Sequence, residues 1–379
     1  MNKAGTIIMH LVHLTISDFR NIARVEFEPA SGVNLFWGAN AQGKTNLLEA
    51  IYYLITGRSF HTRQDREVLP WDCPSETVSI IRGAVQRPES LYQILVAISK
   101  NQKNVTCNGK TLTSLGLLWG KMNAVLFTPQ DLDIVQGPPN VRRRFLDMEG
   151  CQMDHNYLYH LQRYALILRQ RNALLKSSME DSELAESLEV WDEQIASPAS
   201  EIFCFRREFL KKLSFASSNI YNGIADSSEV LTLEYDNFLG RSETTLNREV
   251  AEALCMDLMR RSRAEDIYRG TTTCGPHRDD FRIIIDGQDA RAFASQGQQR
   301  SAIIALRLAE IALMKQYTGL SPILLLDDIV SELDEKRRRH FLKLLDPSLQ
   351  TFITGTDSDA LQGVLPVEKS FQIVGGRIL

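Results

Sequence analysis

The stretch Gly38-Ala39-Asn40-Ala41-Gln42-Gly43-Lys44-Thr45 decides the fold of this 379-residue chain. It fits the pattern G-x-x-x-x-G-K-[ST] of a phosphate-binding loop. Its flanks are those the chemistry needs. The apolar run Val33–Trp37 predicts a strand before it, and the apolar spacing of residues 46–54 predicts a buried helix after it. Glycines let the backbone curl so that successive N–H groups face phosphate oxygens, and the helix start adds the positive end of its dipole. In this reading all eight residues cradle a nucleotide. Lys44 reaches the β- and γ-phosphates and takes part in their chemistry, and the Thr45 hydroxyl ligates a metal. The expected cofactors are ATP and Mg²⁺.

A second element completes that chemistry. Ile323-Leu324-Leu325-Leu326-Asp327-Asp328 is an apolar strand ending in two acids. Buried backbone holds the first carboxylate rigidly, so Asp327 is the expected Mg²⁺ ligand. Asp328 is expected beside the attacking water as general base or polariser. Alone, such a strand is common and its acids serve equally well as helix caps; paired with the phosphate loop it reads as a Walker B element. Ser295-Gln296-Gly297-Gln298-Gln299-Arg300 begins 28 residues before that strand, at the start of its preceding helix. It looks like the S-x-G-Q signature of ABC-type ATPases, in which Ser295, Gly297 and Gln298 would meet a γ-phosphate held by an opposite subunit. Alone, a serine there is an ordinary helix cap. Ser331-Glu332-Leu333-Asp334 resembles the D-loop of the same superfamily, with Asp334 at the nucleotide. Gln130, after the predicted strand 124–127, stands where a catalytic Q-loop glutamine would. Thr356, after the predicted strand 351–354, stands where many relatives carry a switch histidine.

Strand patterns surround a helical centre. Alternation over His10–Phe19, with 25–27 as its partner, predicts a half-buried strand, and runs at 78–85 and 91–98 predict further strands. Asn108-Gly109 predicts a hairpin within 105–112. Residues 151–222 hold no glycine and one proline, Pro198, and carry helical apolar spacing; two helices of about 35 residues would reach about 50 Å. Residues 226–242 read as a short strand with loops. Strand pattern returns from 271, with a hairpin expected to pair 281–285 with 290–293 across Asp286-Gly287, followed by a helix over 301–317. The expected fold is therefore α/β: an ABC-type, SMC-like P-loop ATPase head of residues 1–140 and 272–379, interrupted by an inserted α-helical arm at 141–271.

The chain resembles the RecF family of compact SMC-like head ATPases. The resemblance rests on LTISDFRN (14–21), GKTNLLEAIYYL (43–54), GRSF (57–60), FTPQDL (127–132), RRRFLD (142–147), GPHRDD (275–280), SQGQQRS (295–301) and LLLDDIVSELD (324–334). It spans nearly the whole chain, and GPHRDD followed by SQGQQR with a short arm is its most specific combination. Departures are Ala39 and Ala41, where the family commonly has Pro and Gly, His61, where Arg is expected, and Gln130, where many members have Glu. The resemblance implies weak DNA-stimulated ATP hydrolysis and an ATP-driven homodimer. It also implies binding to single-stranded, double-stranded and gapped DNA, and work with RecR and RecO in loading a recombinase at gaps.

Composition narrows the alternatives. A net charge of −4 argues against blanket attraction to nucleic acid, so DNA affinity needs a concentrated patch. Arg142-Arg143-Arg144 and Arg337-Arg338-Arg339 are the candidates; the alternatives are solvated helix faces or salt-bridged structure. His277 and Arg278 of GPHRDD read either as site residues or as a structural corner. Six scattered cysteines, no signal-peptide layout and no long apolar run point to a reduced cytoplasmic protein. The native start stays open between Met1 and Met9, with Met9 suggested because the first patterned strand begins at His10. Two competing functions share parts of this chemistry: the ATPase subunit of an ABC transporter, and an interaction protein that binds ATP without turnover. Against the transporter stands the long insertion between Gln130 and the signature.

Overall fold

Val33–Trp37 is buried over its first four residues, as a strand flanked on both faces must be. In the computed structural model, which describes residues 9–379 apart from 63, 120, 178–180, 226–228, 241–245, 330–334, 359–360 and 362–364, it lies inside a six-stranded sheet. The order is Arg377–Ile378, Val367–Val374, Val33–Trp37, Thr351–Gly355, Ile323–Leu326, Ala124–Phe127. All neighbours run parallel except the first pair, which forms a hairpin. Register aligns the carboxyl ends: Gly355 pairs with Trp37, Ile353 with Leu326, and Leu326 with Phe127. The loops leaving those ends therefore converge along one edge, where open parallel sheets bind ligands.

A second six-stranded sheet is antiparallel, in the order Ile22–Phe27, His10–Phe19, Ser79–Arg87, Ser90–Ile98, Lys103–Cys107, Lys110–Thr111. Asn108 and Gly109 both take positive φ (50° and 75°), which is what a two-residue turn with the twist of its strands requires. The helix Lys44–Thr56 is buried along almost its whole length and ends at Gly57 in the left-handed conformation.

The chain divides into two compact units, Met1–Asp131 with Arg307–Leu379, and Leu132–Leu306. Both sheets described so far belong to the first. The second holds the helices Pro139–Met153, His155–Leu174, Asp181–Ala225 and Arg248–Arg269. It also holds a three-stranded antiparallel sheet in the order Gln288–Asp289, Asp280–Ile285, Leu231–Asp236. Residues 272–306 group with the inserted segment by compactness.

Two local expectations are corrected. The expected pair of helices of about 35 residues is instead a pair of unequal length, 20 and 45 residues, and a third helix of 22 residues follows at Arg248–Arg269. Asp154 starts the first by accepting the Asn156 N–H (2.7 Å), and the 45-residue helix runs through Pro198. The return strand after Asp286-Gly287 is only Gln288–Asp289. Residues Ala290–Phe293 are a short helix, because the Asp289 carboxylate accepts the Arg291 N–H (2.8 Å) and caps it.

Inside the second unit, charge is buried in paired form. Arg171, fully buried, donates to Asp192 (2.9 Å) and Asp266 (2.7 Å), tying three helices together. Such pairs define geometry more than they add stability, but removing one partner leaves an uncompensated charge.

Candidate nucleotide-binding site

The phosphate loop is built from backbone that few side chains tolerate. Gly38 and Gly43 have φ of 150° and 103°. A Cβ on Gly38 would sit 2.4 Å from the Ile373 carbonyl oxygen, and one on Gly43 would sit 2.7 Å from the Asn21 side chain. Ala41 occupies the left-handed region at φ 64°, a strain of about 1–2 kcal/mol that glycine would avoid. Lys44 is buried, and its ammonium donates to the carbonyls of Gly38 (2.7 Å) and Ala39 (2.9 Å), so the loop wraps its own lysine. Gly43 caps the following helix without any side-chain hydrogen bond, which leaves the helix start to an incoming anion.

Asp327 and Asp328 directly follow the strand Ile323–Leu326. The Thr45 hydroxyl donates to Asp327 Oδ1 at 2.9 Å, joining phosphate loop to Walker B strand. The Thr354 hydroxyl donates to the same oxygen at 3.0 Å and accepts the Asp328 N–H at 2.8 Å. Burial pushes the Asp327 carboxyl up; the two hydroxyls pull it down, and the neighbouring Asp328 charge adds to the rise. Asp328 holds a left-handed backbone at φ 48°. A threonine hydroxyl and an aspartate oxygen this close form the hard-oxygen pair that Mg²⁺ uses in phosphate-loop proteins, so these residues fit the metal and the nucleotide the sequence implies. Thr354 was not singled out in the sequence. The residue singled out there, Thr356, is exposed. The signal was a hydroxyl in an otherwise apolar strand beside the Walker B strand.

Gln130 is exposed on the 3₁₀ turn Pro129–Leu132. Its neighbour Asp131 is buried and fastens that turn. Asp131 accepts the Thr128 N–H (2.9 Å) and a forked pair from Arg307 (2.6 and 3.3 Å), while Arg307 also donates to Glu310 (2.7 Å). Sequence reading missed both Asp131 and Arg307.

In the second unit, Ser295 is exposed immediately before the helix Gln296–Thr318. Its hydroxyl accepts the Gln298 N–H (3.2 Å) and its own N–H donates to Gln298 Oε1 (2.8 Å), a reciprocal capping box. Gln298 Nε2 donates to Glu229 (3.0 Å). Gln299, buried, receives Gln136 (2.6 Å) and donates to the Ala290 carbonyl (2.8 Å). Gly297 is half-buried, and the D-loop reading, Asp334 included, lies outside the described residues.

The arginine and GPHRDD readings separate. Arg142 is buried and forks onto Asp280 (2.7 and 2.8 Å), and Arg143 donates to the Asp279 carbonyl (2.7 Å). Arg142 is thus salt-bridged structure and no phosphate contact; Arg144 is exposed. Asp279 accepts Arg206 (3.0 Å), the Tyr235 hydroxyl (2.5 Å) and the Phe238 N–H (2.8 Å). His277 bonds the Tyr164 hydroxyl (2.6 Å) and the Thr272 carbonyl (3.1 Å), and burial lowers its pKa to about 4. GPHRDD is therefore a structural corner. Arg339 pairs with Glu335 on its own helix.

Known proteins carry the same arrangement. The profile of the RecF/RecN/SMC N-terminal domain family matches residues 10–374. Among curated relatives, the DNA replication and repair protein RecF of Natranaerobius thermophilus is 36% identical over 373 residues, 96% of each chain. That of Pediococcus pentosaceus is 38% identical over 357 residues, 94% of each chain. The chain belongs to the RecF family. A solved structure of the recombination mediator protein RecF-ATP in the RecFOR pathway superposes with a TM-score of 0.90 at 33% identity, covering 100% of this chain and 99% of that one. An Smc head domain from Pyrococcus furiosus shares the fold at TM-score 0.55 and 14% identity, covering 98% of this chain and 96% of that one. The α/β, SMC-like ABC-type head expected from the phosphate loop is thus the fold of the RecF family. Among the described residues no helix is long and apolar enough to cross a membrane.

Proposed function

We propose that this chain is an ATP-dependent DNA-binding protein of recombinational repair, a weak DNA-stimulated ATPase that dimerises around two ATP molecules and so grips DNA. The observation that carries the reading is the convergence of Thr45 and Thr354 on one oxygen of buried Asp327, beside a loop whose backbone and lysine are shaped for phosphate. The loop 38–45 holds the triphosphate, with Lys44 exchanging its carbonyl partners for phosphate oxygens. Thr45 and Asp327 hold Mg²⁺, directly or through water. When bound, the metal neutralises charge on the phosphate oxygens. Asp328, fixed through its N–H by Thr354, takes the proton of the attacking water, with Gln130 on the turn after Ala124–Phe127 as its partner. Hydrolysis removes the triphosphate and the bridge with it.

The remaining parts follow from the same reading. Ser295, Gly297 and Gln298, with Asp334, meet the nucleotide held by a second copy, so each site needs two chains. Residues 1–140 and 272–379 act as the head, and 141–271 as the arm. Partners are single-stranded, double-stranded and gapped DNA, and RecR with RecO at gaps where a recombinase is loaded. The relatives' description as DNA replication and repair proteins and the RecF-ATP structure support this assignment. ATP turnover with and without gapped DNA tests it. Stimulation by DNA is expected; DNA-indifferent turnover, or none, sinks it.

A further inference from the structure

The phosphate loop is held from outside by residues beyond 38–45. Gln42, in the middle of the loop, is gripped at two points by the turn that joins Val367–Val374 to Arg377–Ile378. Its carbonyl accepts the Gly376 N–H (2.9 Å), and its side-chain Oε1 accepts the Gly375 N–H (2.7 Å). Asn21, in the turn between the strands His10–Phe19 and Ile22–Phe27, closes the other side. Its Oδ1 accepts Asn46 Nδ2 (2.8 Å) at the start of the loop's helix. The same side chain fills the space a Cβ on Gly43 would need, and its carbonyl lies where a Cβ on Gly376 would fall, at 2.3 Å. The preceding strand also presses on the loop, through the Ile373 carbonyl against Gly38. Two pieces of chain, the Ile373–Gly376 stretch and the turn at Asn21, therefore meet on the loop around Gln42, whose neighbours, Ala41 and Gly43, stand in left-handed conformations.

We propose that the Gly375-Gly376 turn, which holds Gln42, and Asn21, which holds Asn46 and packs on Gly43, are positioning residues for nucleotide that clasp the phosphate loop in its phosphate-ready shape before ligand arrives. The inference rests on the nucleotide-site reading. A strained loop relaxes when its outside partners are removed, and the ligand must then reimpose the conformation itself. The loss falls on affinity, because the clasp touches neither the acids at 327 and 328 nor the attacking water.

The test is steady-state ATP turnover, paired with titration of a fluorescent ATP analogue, on full-length variants. Asn21→Ala removes the bond to Asn46 and the packing on Gly43, and Gly376→Ala drives a methyl into the Asn21 main-chain carbonyl. Each is expected to raise KM and the analogue's Kd by about fivefold or more, the loss of one neutral hydrogen bond, with kcat held within about twofold. Gly109→Ala is the control: it has nearly the same φ (75° against 76°), lies in the same compact unit and meets nothing within 4 Å, so it is expected to leave KM unmoved. An unchanged KM and Kd in both Asn21→Ala and Gly376→Ala, or an equal rise in Gly109→Ala, overturns the clasp. Lys44→Met is run alongside. If it retains ATP affinity, the nucleotide site itself is wrong; if it alone loses affinity, the site stands and the clasp falls.

Discussion

Asp327 shows how a single residue trades stability for chemistry. Its carboxylate is buried, and desolvation raises its pKa above the usual 3.8 despite donors from Thr45 and Thr354. A carboxyl whose pKa rises on folding costs stability while ionised. The cost is present above the raised value and is relieved as pH falls toward 3.8, where the folded form binds the proton first. Asp327→Asn keeps an oxygen for both hydroxyls and removes the charge. It is expected to raise the Tm of the nucleotide-free protein while lowering ATP turnover about 100-fold or more, the scale of losing a main charge-stabilising group. A lower Tm, or near-normal turnover, would contradict this account. His277 presents the opposite sign. Folding depresses its pKa from 6.5 to about 4, so the neutral ring contributes stability that is full above pH 6.5 and lost as pH falls through 4. That difference is worth on the order of 3 kcal/mol. Urea unfolding of His277→Gln is expected to show a flatter dependence on pH between 6.5 and 4 than the parent; parallel curves would remove His277 from acid unfolding.

Elements were legible where local pattern and tertiary role coincide. Val33–Trp37 and Ile323–Leu326 are nearly continuous apolar runs because parallel strands are covered on both faces, and Gly38 and Asp327 mark their ends. Thr354 was not legible, since its role depends on register: only when Ile353 pairs with Leu326 does its hydroxyl reach Asp327. The helix Arg248–Arg269 passed unnoticed because it buries only Ala251, Cys255, Met259 and Asp266, too narrow a stripe among charged residues. Arg142 of RRRFLD advertised phosphate contact, while its partner Asp280 lies 138 residues away in sequence. Ser295 combines both kinds of reading, because its capping box fits a plain helix start as well as a signature. The two roles are separable. Aspartate caps a helix about as well as serine, but places a negative charge where an opposing γ-phosphate would bind. Ser295→Asp is expected to change stability by less than about 0.5 kcal/mol and to abolish ATP-driven dimer formation, whereas Ser295→Ala costs about 1 kcal/mol. Dimerisation by Ser295→Asp at the parent's nucleotide concentration would leave Ser295 as a cap and nothing more.

At the scale of the whole molecule the use of Arg142 inside an ion pair removes it from the candidate cations for the proposed DNA binding. Arg142→Ala strands Asp280 and is expected to destabilise by about 3–5 kcal/mol. It should leave the salt dependence of DNA binding intact, since a residue that touches no phosphate releases no counterion. Binding itself should weaken steeply as salt rises, and salt-insensitive affinity would place the contact elsewhere than on phosphates. Assembly is the larger claim. Lys44 and Ser295 belong to different compact units of the chain, and the proposal joins the Lys44 loop of one copy to the Ser295 turn of another through a triphosphate. Light scattering should therefore report a monomer without nucleotide and a dimer under saturating ATP and magnesium. Lys44→Met should stay monomeric, having lost the phosphate grip. Asp328→Asn should bind ATP, hydrolyse it slowly and remain dimeric longer than the parent, because the bridge is removed only by the step that Asp328 assists. A parent that stays monomeric under saturating ATP, or an Asp328→Asn variant whose dimer decays at the parental rate, would mean that the triphosphate is not what holds two copies together.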